Sequence, residues 1–201
     1  MARAHPRSTD TPRDAIALLK EDHRTVEELF EQFEGADEAQ MSAIATRICD
    51  LLTVHAQIEE EILYPAAKQA FEEESEEEVE LVNEAAVEHG TAKDLISQIE
   101  AMTPEHEAYR ATVKVLGEYI KHHVQEEETE MFPALKKTEL DLKEMGTQLF
   151  ERKLALMEEL GISEEPLEIP HGRSRSGRSP TARSGGRRNS SAQSSSRPAR
   201  H

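Results

Sequence analysis

Tryptophan is absent, cysteine occurs once, and five Phe with three Tyr bring the aromatic content to only 4% of 201 residues. A β-sandwich or barrel core leans on aromatic and β-branched side chains, so this composition speaks against either. The lone Cys49 has no internal disulfide partner, in keeping with a reducing compartment. No apolar run approaches the roughly 18–20 residues that cross a bilayer. The opening MARAHPRSTDTPRD lacks the apolar stretch of a secretory signal. The expected location is the cytoplasm, without membrane contact. Basic residues are scarce everywhere except one stretch. Net charge is −17, from 41 acids against 24 Lys and Arg, but residues 171–201 carry eight Arg and no acid, which leaves −25 on the first 170 residues. So acidic a body repels phosphate backbones, and no nucleic-acid partner is expected there.

What is present is charge (32%) interleaved with a 36% hydrophobic fraction, the mixture of amphipathic helices. Four segments carry apolar residues at the three-four spacing of a bundle helix. The first stripe is Ile16, Leu19, His23, Val26, Phe30 and Phe33, opened by Thr11 as N-cap, Pro12 at the first helical position and Asp14 completing a capping box, and stopped by Gly35. The second runs Ile44, Ile48, Leu52, His55, Glu59, Ile62, followed by an acidic run, Glu72 to Glu78, expected to be a solvated helix end or loop. The third is Val82, Ala85, His89, Ala92, Ile96, Ile99. Thr103-Pro104 repeats the cap-plus-proline start, and the fourth stripe is Tyr109, Val113, Leu116, Ile120, His123, Glu127, Met131. A fifth segment, about 139–160, carries Leu142, Met145, Leu149, Leu156 and Leu160, ends at Gly161 and has no histidine on its stripe. The expected fold is all-α: an up-down-up-down four-helix bundle with an additional C-terminal helix covering one side or end. The expected organisation is a flexible terminus over 1–10, the bundle with its fifth helix over 11–162, and an Arg/Ser/Gly-rich tail over 163–201. Residues 171–201 have no aliphatic side chain beyond alanine, so no burial offsets their ordering entropy, and disorder is expected. The tail reads either as a tether for an anionic partner or kinase target around Arg187-Arg188-Asn189-Ser190, or as a solubilising segment lying on its own acidic body.

Four stripes hold four histidines, His23, His55, His89 and His123, each where the pattern wants an aliphatic residue. Glu59 follows His55, and Glu127 follows His123, by four residues, so each pair shares a helix face. An ionised glutamate is rarely buried unless paired or metal-bound. Imidazole nitrogens and carboxylate oxygens converging inside a bundle suit iron, manganese or zinc. The chain also repeats: HAQIEEEILYPAAK (55–68) aligns without a gap on HVQEEETEMFPALK (123–136), and the spacing of Leu29, Phe30 and Phe33 after His23 matches that of Leu95, Ile96 and Ile99 after His89. Two helical hairpins each donating two His and one Glu can build a pseudo-symmetric site for two metals; the alternative is a duplicated bundle whose matching histidines are inherited packing. Pro65 and Pro133 cannot donate to the carbonyls of Glu61 and Thr129, so each helix is expected to kink or end there.

These residues resemble the hemerythrin-like, or HHE cation-binding, family, from about Asp14 to Leu160: His23 in KEDHRTVEELF, the His55…Glu59…Tyr64-Pro65 run, His89 in VEHGTAKDL, and the His123…Glu127…Phe132-Pro133 run. The resemblance implies a bundle enclosing a non-haem centre of two iron ions, oxo- or hydroxo-bridged, with His23 and His55 on one iron, His89 and His123 on the other, and Glu59 and Glu127 bridging. The oxygen carriers of that family have a further histidine where Lys93 stands here, and Asp one residue after the place of Glu127. Four histidines make the irons more alike and more open, which points away from oxygen carriage and towards iron binding with reaction at oxygen, peroxide or nitric oxide.

Around this set, His122 turns about 100° from His123 and reads as a surface residue. His106 reads as solvated in a first helical turn, and Cys49 as an inert buried thiol. Glu60 and Glu126 could add a terminal carboxylate. Tyr64 and Tyr119 read chiefly as core residues able to hydrogen-bond a metal-bound ligand. The expected function is a di-iron protein that senses, stores or reacts with a small ligand in a stress response. A metal-free helical adaptor using the basic tail, or a low-grade peroxidase or catalase at the same site, are the alternatives.

Overall fold

The computed structural model describes residues 14–72 and 75–163. The tail, the first ten residues and the Thr11-Pro12 start all fall outside them. Helix α1 spans Ala15–Gly35, α2 Glu38–Ile58, α3 Tyr64–Phe71, α4 Glu76–Glu100, α5 Tyr109–Glu126, α6 Phe132–Leu135 and α7 Leu142–Leu160. Short polar residues place the starts. Asp14 is the N-cap of α1, accepting from the Ala17 N–H at 2.8 Å. Asp37 and Gln40 form a reciprocal capping box at α2, and Asp141 accepts from the Lys143 and Glu144 amides at α7. Gly161, at φ 68°, ends α7 in the left-handed conformation that glycine adopts without strain. The acidic run splits: Glu72 closes α3, and Glu76, Glu77 and Glu78 occupy the first turn of α4, where the helix dipole favours negative charge.

Two starts and stops differ from the sequence pattern. Thr103-Pro104 does not open α5; the Thr103 carbonyl is taken by the His106 N–H in a tight turn, the His106 ring accepts from the Ala108 amide, and the helix begins at Tyr109. His106 is thus an exposed turn residue rather than a helical one. At the prolines the chain does not end; helical backbone continues on both sides of each. Glu59–Leu63 and Glu127–Met131 each form a π turn, in which the Tyr64 and Phe132 N–H groups reach back five residues to the carbonyls of Glu59 and Glu127. Pro65 and Pro133 then sit at the start of the next α-helical segment, where a missing N–H costs little. The wide turn advances the register by one residue, so Leu63 takes the core place expected for Ile62, which is half-buried.

The long helices close a ring: α1 packs against α2 and α5, and α4 against α2 and α5, the neighbour relations of the up-down-up-down bundle. Helix α7 lies along α1, α2 and the first π turn. The stripes face inward nearly as read. The exceptions are Phe30, half-buried against Gly117 while Leu29 takes the inner position, and Leu142 and Leu160, half-buried and exposed on α7. The apolar interior divides into two cores. One is built around Leu19, Ile58, Leu63, Phe71, Phe132 and Leu149, the other around Val26, Ile48, Leu52, Ile96 and Leu116. Between them along every rod lies one polar level, holding His23, His55, His89 and His123. No described helix is long and apolar enough to cross a membrane.

Leu149, fully buried in the first core, tests whether α7 is integral to the bundle. Leu149→Ala is expected to cost about 2–5 kcal/mol, read as a lower denaturant midpoint with unchanged helix content.

Candidate metal centre

Each of the four rods brings one histidine to the polar level, and the two π turns bring one glutamate each. His23, His55, His89, His123, Glu59 and Glu127 are all buried, Glu59 completely. The Nε2 atoms meet in pairs, His23 to His55 at 3.1 Å and His89 to His123 at 3.2 Å. The carboxylates lie across both pairs. Glu59 Oε2 is 3.3 Å from His55 Nε2 and 3.4 Å from His89 Nε2; Glu127 Oε2 is 3.3 Å from His23 Nε2 and 3.7 Å from His123 Nε2. The donor atoms of His23, His55, Glu59 and Glu127 form one cluster compact enough for a metal ion, and those of Glu59, His89 and His123 a second.

A second ring of carboxylates faces the outer nitrogens. Nδ1 of His23 is 3.0 Å from Glu128, of His89 3.1 Å from Glu60, of His123 2.8 Å from Glu88, and of His55 3.6 Å from Asp22. Lysines back three of these acids: Lys20 on Glu128, Lys93 on Glu60 and Lys153 on Asp22. An imidazole whose Nδ1–H is given to a carboxylate has its lone pair on Nε2 when neutral. At His89 and His123 two such lone pairs face each other at 3.2 Å and repel, and a cation between nitrogens and carboxylates removes the conflict. The hydrogen-bond accounting agrees. Both oxygens of Glu59 and Oε2 of Glu127 are buried without a hydrogen-bond partner, a costly arrangement unless an ion completes it. The residues therefore fit a pair of cations.

Tyr64 enters this level more deeply than sequence suggests. Its hydroxyl lies 3.1 Å from both Glu127 Oε1 and His89 Nε2, and burial beside Glu127 and Glu59 holds its proton firmly. Its counterpart in the repeat, Phe132, stacks on His23 instead. Tyr119 is half-buried away from the site, His122 is exposed and paired with Glu126, and neither touches the inner six. Glu60 joins through His89, not as a direct donor. Burial lifts the Cys49 thiol to about 12, an inert group. The outer acids were legible in the repeat: Asp22 and Glu88 each precede a histidine, and Glu60 and Glu128 each follow a site glutamate. The imidazoles also wall a mostly apolar cavity lined by Val26, Leu52, Ala92, Ile96, Ile120 and Val124, with Lys93 at its edge.

Electrostatics bind the set together without a metal. Burial opposes charge on His23 and His123, but the carboxylates outweigh it: Glu127 and Glu59 raise His23, and Glu127, Glu88 and Glu59 raise His123 to about 9. Burial likewise opposes charge on Glu127, and the histidines hold it down to about 2. Raised above its ordinary 6.5, His123 stabilises the fold fully below that pH and loses the contribution as pH climbs through 9; Glu127 stabilises above its ordinary 4.5 and loses it towards 2. Metal-free protein is therefore expected to melt at progressively lower temperature as pH is raised from 6.5 to 9. Metal-loaded protein, its imidazoles already deprotonated, should show no such fall in the same melts.

Comparison with known proteins places this geometry. A solved structure titled a hemerythrin HHE cation binding domain-containing protein, the Rv2633c homolog from Mycobacterium kansasii, shares the fold at a TM-score of 0.63 and 22% identity, over 73% of this chain and 89% of that one. A DNA nickase of Nostoc sp. (strain PCC 7120 / SAG 25.82 / UTEX 2576) is 28% identical over 120 residues, 59% of this chain but only 32% of that protein, so the chain spans about a third of that relative's length. The sequence model of the hemerythrin HHE cation binding domain matches residues 14–135, from the N-cap of α1 to the last residue of α6 and thus across every residue of the polar level, and the chain belongs to that family.

Proposed function

We propose that this cation-binding domain is a non-haem di-iron protein that binds a small ligand, oxygen, peroxide or nitric oxide, in sensing, storage or a stress response. In this reading His23 and His55 hold one iron, His89 and His123 the other, and Glu59 and Glu127 bridge them. The observation that carries it is the set of orphaned carboxylate oxygens lying across two pairs of facing imidazole nitrogens. Iron bound there supplies open coordination positions and a change of oxidation state. The chain's own residues do the rest. The outer acids fix the imidazoles of His23, His89 and His123 with Nε2 inward, and the two bridging carboxylates neutralise charge. The apolar cavity limits access to small, weakly hydrated molecules. The free, buried Cys49 suits a cytoplasmic address. A metal-free adaptor leaves the orphaned oxygens of Glu59 and Glu127 unexplained.

One observation favours turnover of peroxide as a second reading at the same site. The Tyr64 hydroxyl is the one neutral proton donor set against the inner donors, 3.1 Å from Glu127 and His89 among the described residues. It is placed to hold its proton at the inner donors and give a hydrogen bond to a small ligand there.

Elemental analysis of protein purified under iron-replete conditions is expected to give two irons per chain; a trace at most rejects the proposal. Glu59→Ala should lose both irons, whereas His23→Ala should chiefly weaken one, and equal loss at both would count against the ligand assignment. For the second reading, Tyr64→Phe is expected to keep its iron and consume peroxide about a hundredfold more slowly. An unchanged steady-state rate removes the tyrosine from that role.

A further inference from the structure

The two halves of the polar level are not held equally. Three of the four histidines have Nδ1 within 2.8–3.1 Å of a carboxylate, but His55 Nδ1 stands 3.6 Å from Asp22 Oδ2, within reach of its charge but too far for a hydrogen bond, and is buried without a hydrogen-bond partner. The repeat supplies the comparison. Asp22 precedes His23 as Glu88 precedes His89, and each serves the histidine of the following helix. Glu88 has one more methylene, takes no lysine or arginine among the described residues, and reaches His123 at 2.8 Å. Glu128 and Glu60 have the same extra methylene and reach His23 and His89 at 3.0 and 3.1 Å although Lys20 and Lys93 pair with them. Asp22 is shorter, and with its other oxygen held by Lys153 of α7 it lacks the length to reach both. Helix α7 is fixed at that height by Arg152, whose Nε and a terminal nitrogen grip the two oxygens of Glu61 at 2.6 and 3.1 Å on the first π turn. It lies outside the residues matched by the family model, 14–135.

We propose that Lys153 is a positioning residue that keeps Asp22 from His55 and so makes the His23/His55 position the labile half of the metal centre. This rests on the two-metal reading above. A metal-bound imidazole donates more strongly, and stays in place better, when its far N–H is given to a carboxylate, and losing such a partner typically changes metal retention by about 10–100-fold. At His89 and His123 that partner is engaged. At His55 the lysine takes the charge that would otherwise turn to the ring, so this ligand swings away first, and the ion beside it is the first to be exchanged.

The test uses the full chain loaded with Zn²⁺, which has no redox chemistry to complicate release, and follows transfer to an excess of chromogenic chelator. Wild type should release its two zinc ions in two phases, the faster one absent in His55→Ala. Lys153→Met should slow that faster phase about tenfold or more and leave the slower one alone. Lys153→Arg, which keeps the charge, should behave as wild type. Asp22→Glu, which restores the reach of Glu88, should slow the fast phase with Lys153 in place, so the idea stands or falls even if Lys153→Met folds poorly. In an Asp22→Asn background Lys153→Met should have no further effect. A fast phase that is unchanged or quicker in folded Lys153→Met, or slowed as much without Asp22, overturns the proposal, and so does one that Asp22→Glu leaves unchanged. Fewer than two zinc ions per chain at saturation refutes the two-metal reading itself, and this proposal with it; two zinc ions with unaltered release refutes only the role of Lys153.

Discussion

Two buried glutamates at the middle of a helical bundle, with three of their four carboxylate oxygens left without a hydrogen bond, are the constraint on which the rest depends. A carboxylate in an apolar interior must be neutralised, paired or bound to a cation, and around Glu59 and Glu127 stand the neutral Tyr64 hydroxyl and imidazoles, three of which turn their outer nitrogens to acids of their own. The positive charge that the arrangement calls for has to come from ions or from protons taken up by the histidines. The raised His123 and lowered Glu127 pKa values are the proton version of the same balance. Much of the architecture serves this balance: π turns that aim the glutamates, outer acids that orient the rings, and lysines that keep those acids charged.

Duplication built the site, and departures from duplication give it direction. Two hairpins supply His, His and Glu twice, with outer acids at matching places. The halves then diverge in two places: Tyr64 against Phe132 puts a hydroxyl beside the His89 side only, and Asp22 against Glu88 leaves one histidine less firmly held. Each difference is a small change of side chain at a position the repeat identifies. Their combined effect is that two chemically similar pairs of facing imidazoles lie in different surroundings.

Most of this was legible in the sequence because buried polar residues at helical spacing are hard to explain any other way. The four histidine positions, the two glutamates and the stripes follow from periodicity and the gapless repeat. What escaped did so for physical reasons. The π turns depend on a choice between hydrogen-bonding patterns that a proline alone does not settle, and with them went the exchange of Ile62 for Leu63. The start of α5 was misplaced because the His106 ring and a tight turn capture the groups that Thr103-Pro104 would have used to open a helix. The contacts of Lys153 and Tyr64 join residues far apart in the chain, which no local pattern records.

The division of the interior into two oily plugs has a consequence for the waist between them. Each plug is made of hydrophobic side chains, so its burial does not depend on which charges the waist carries. A change of protonation or of occupancy at the belt therefore leaves the grip at both ends in place.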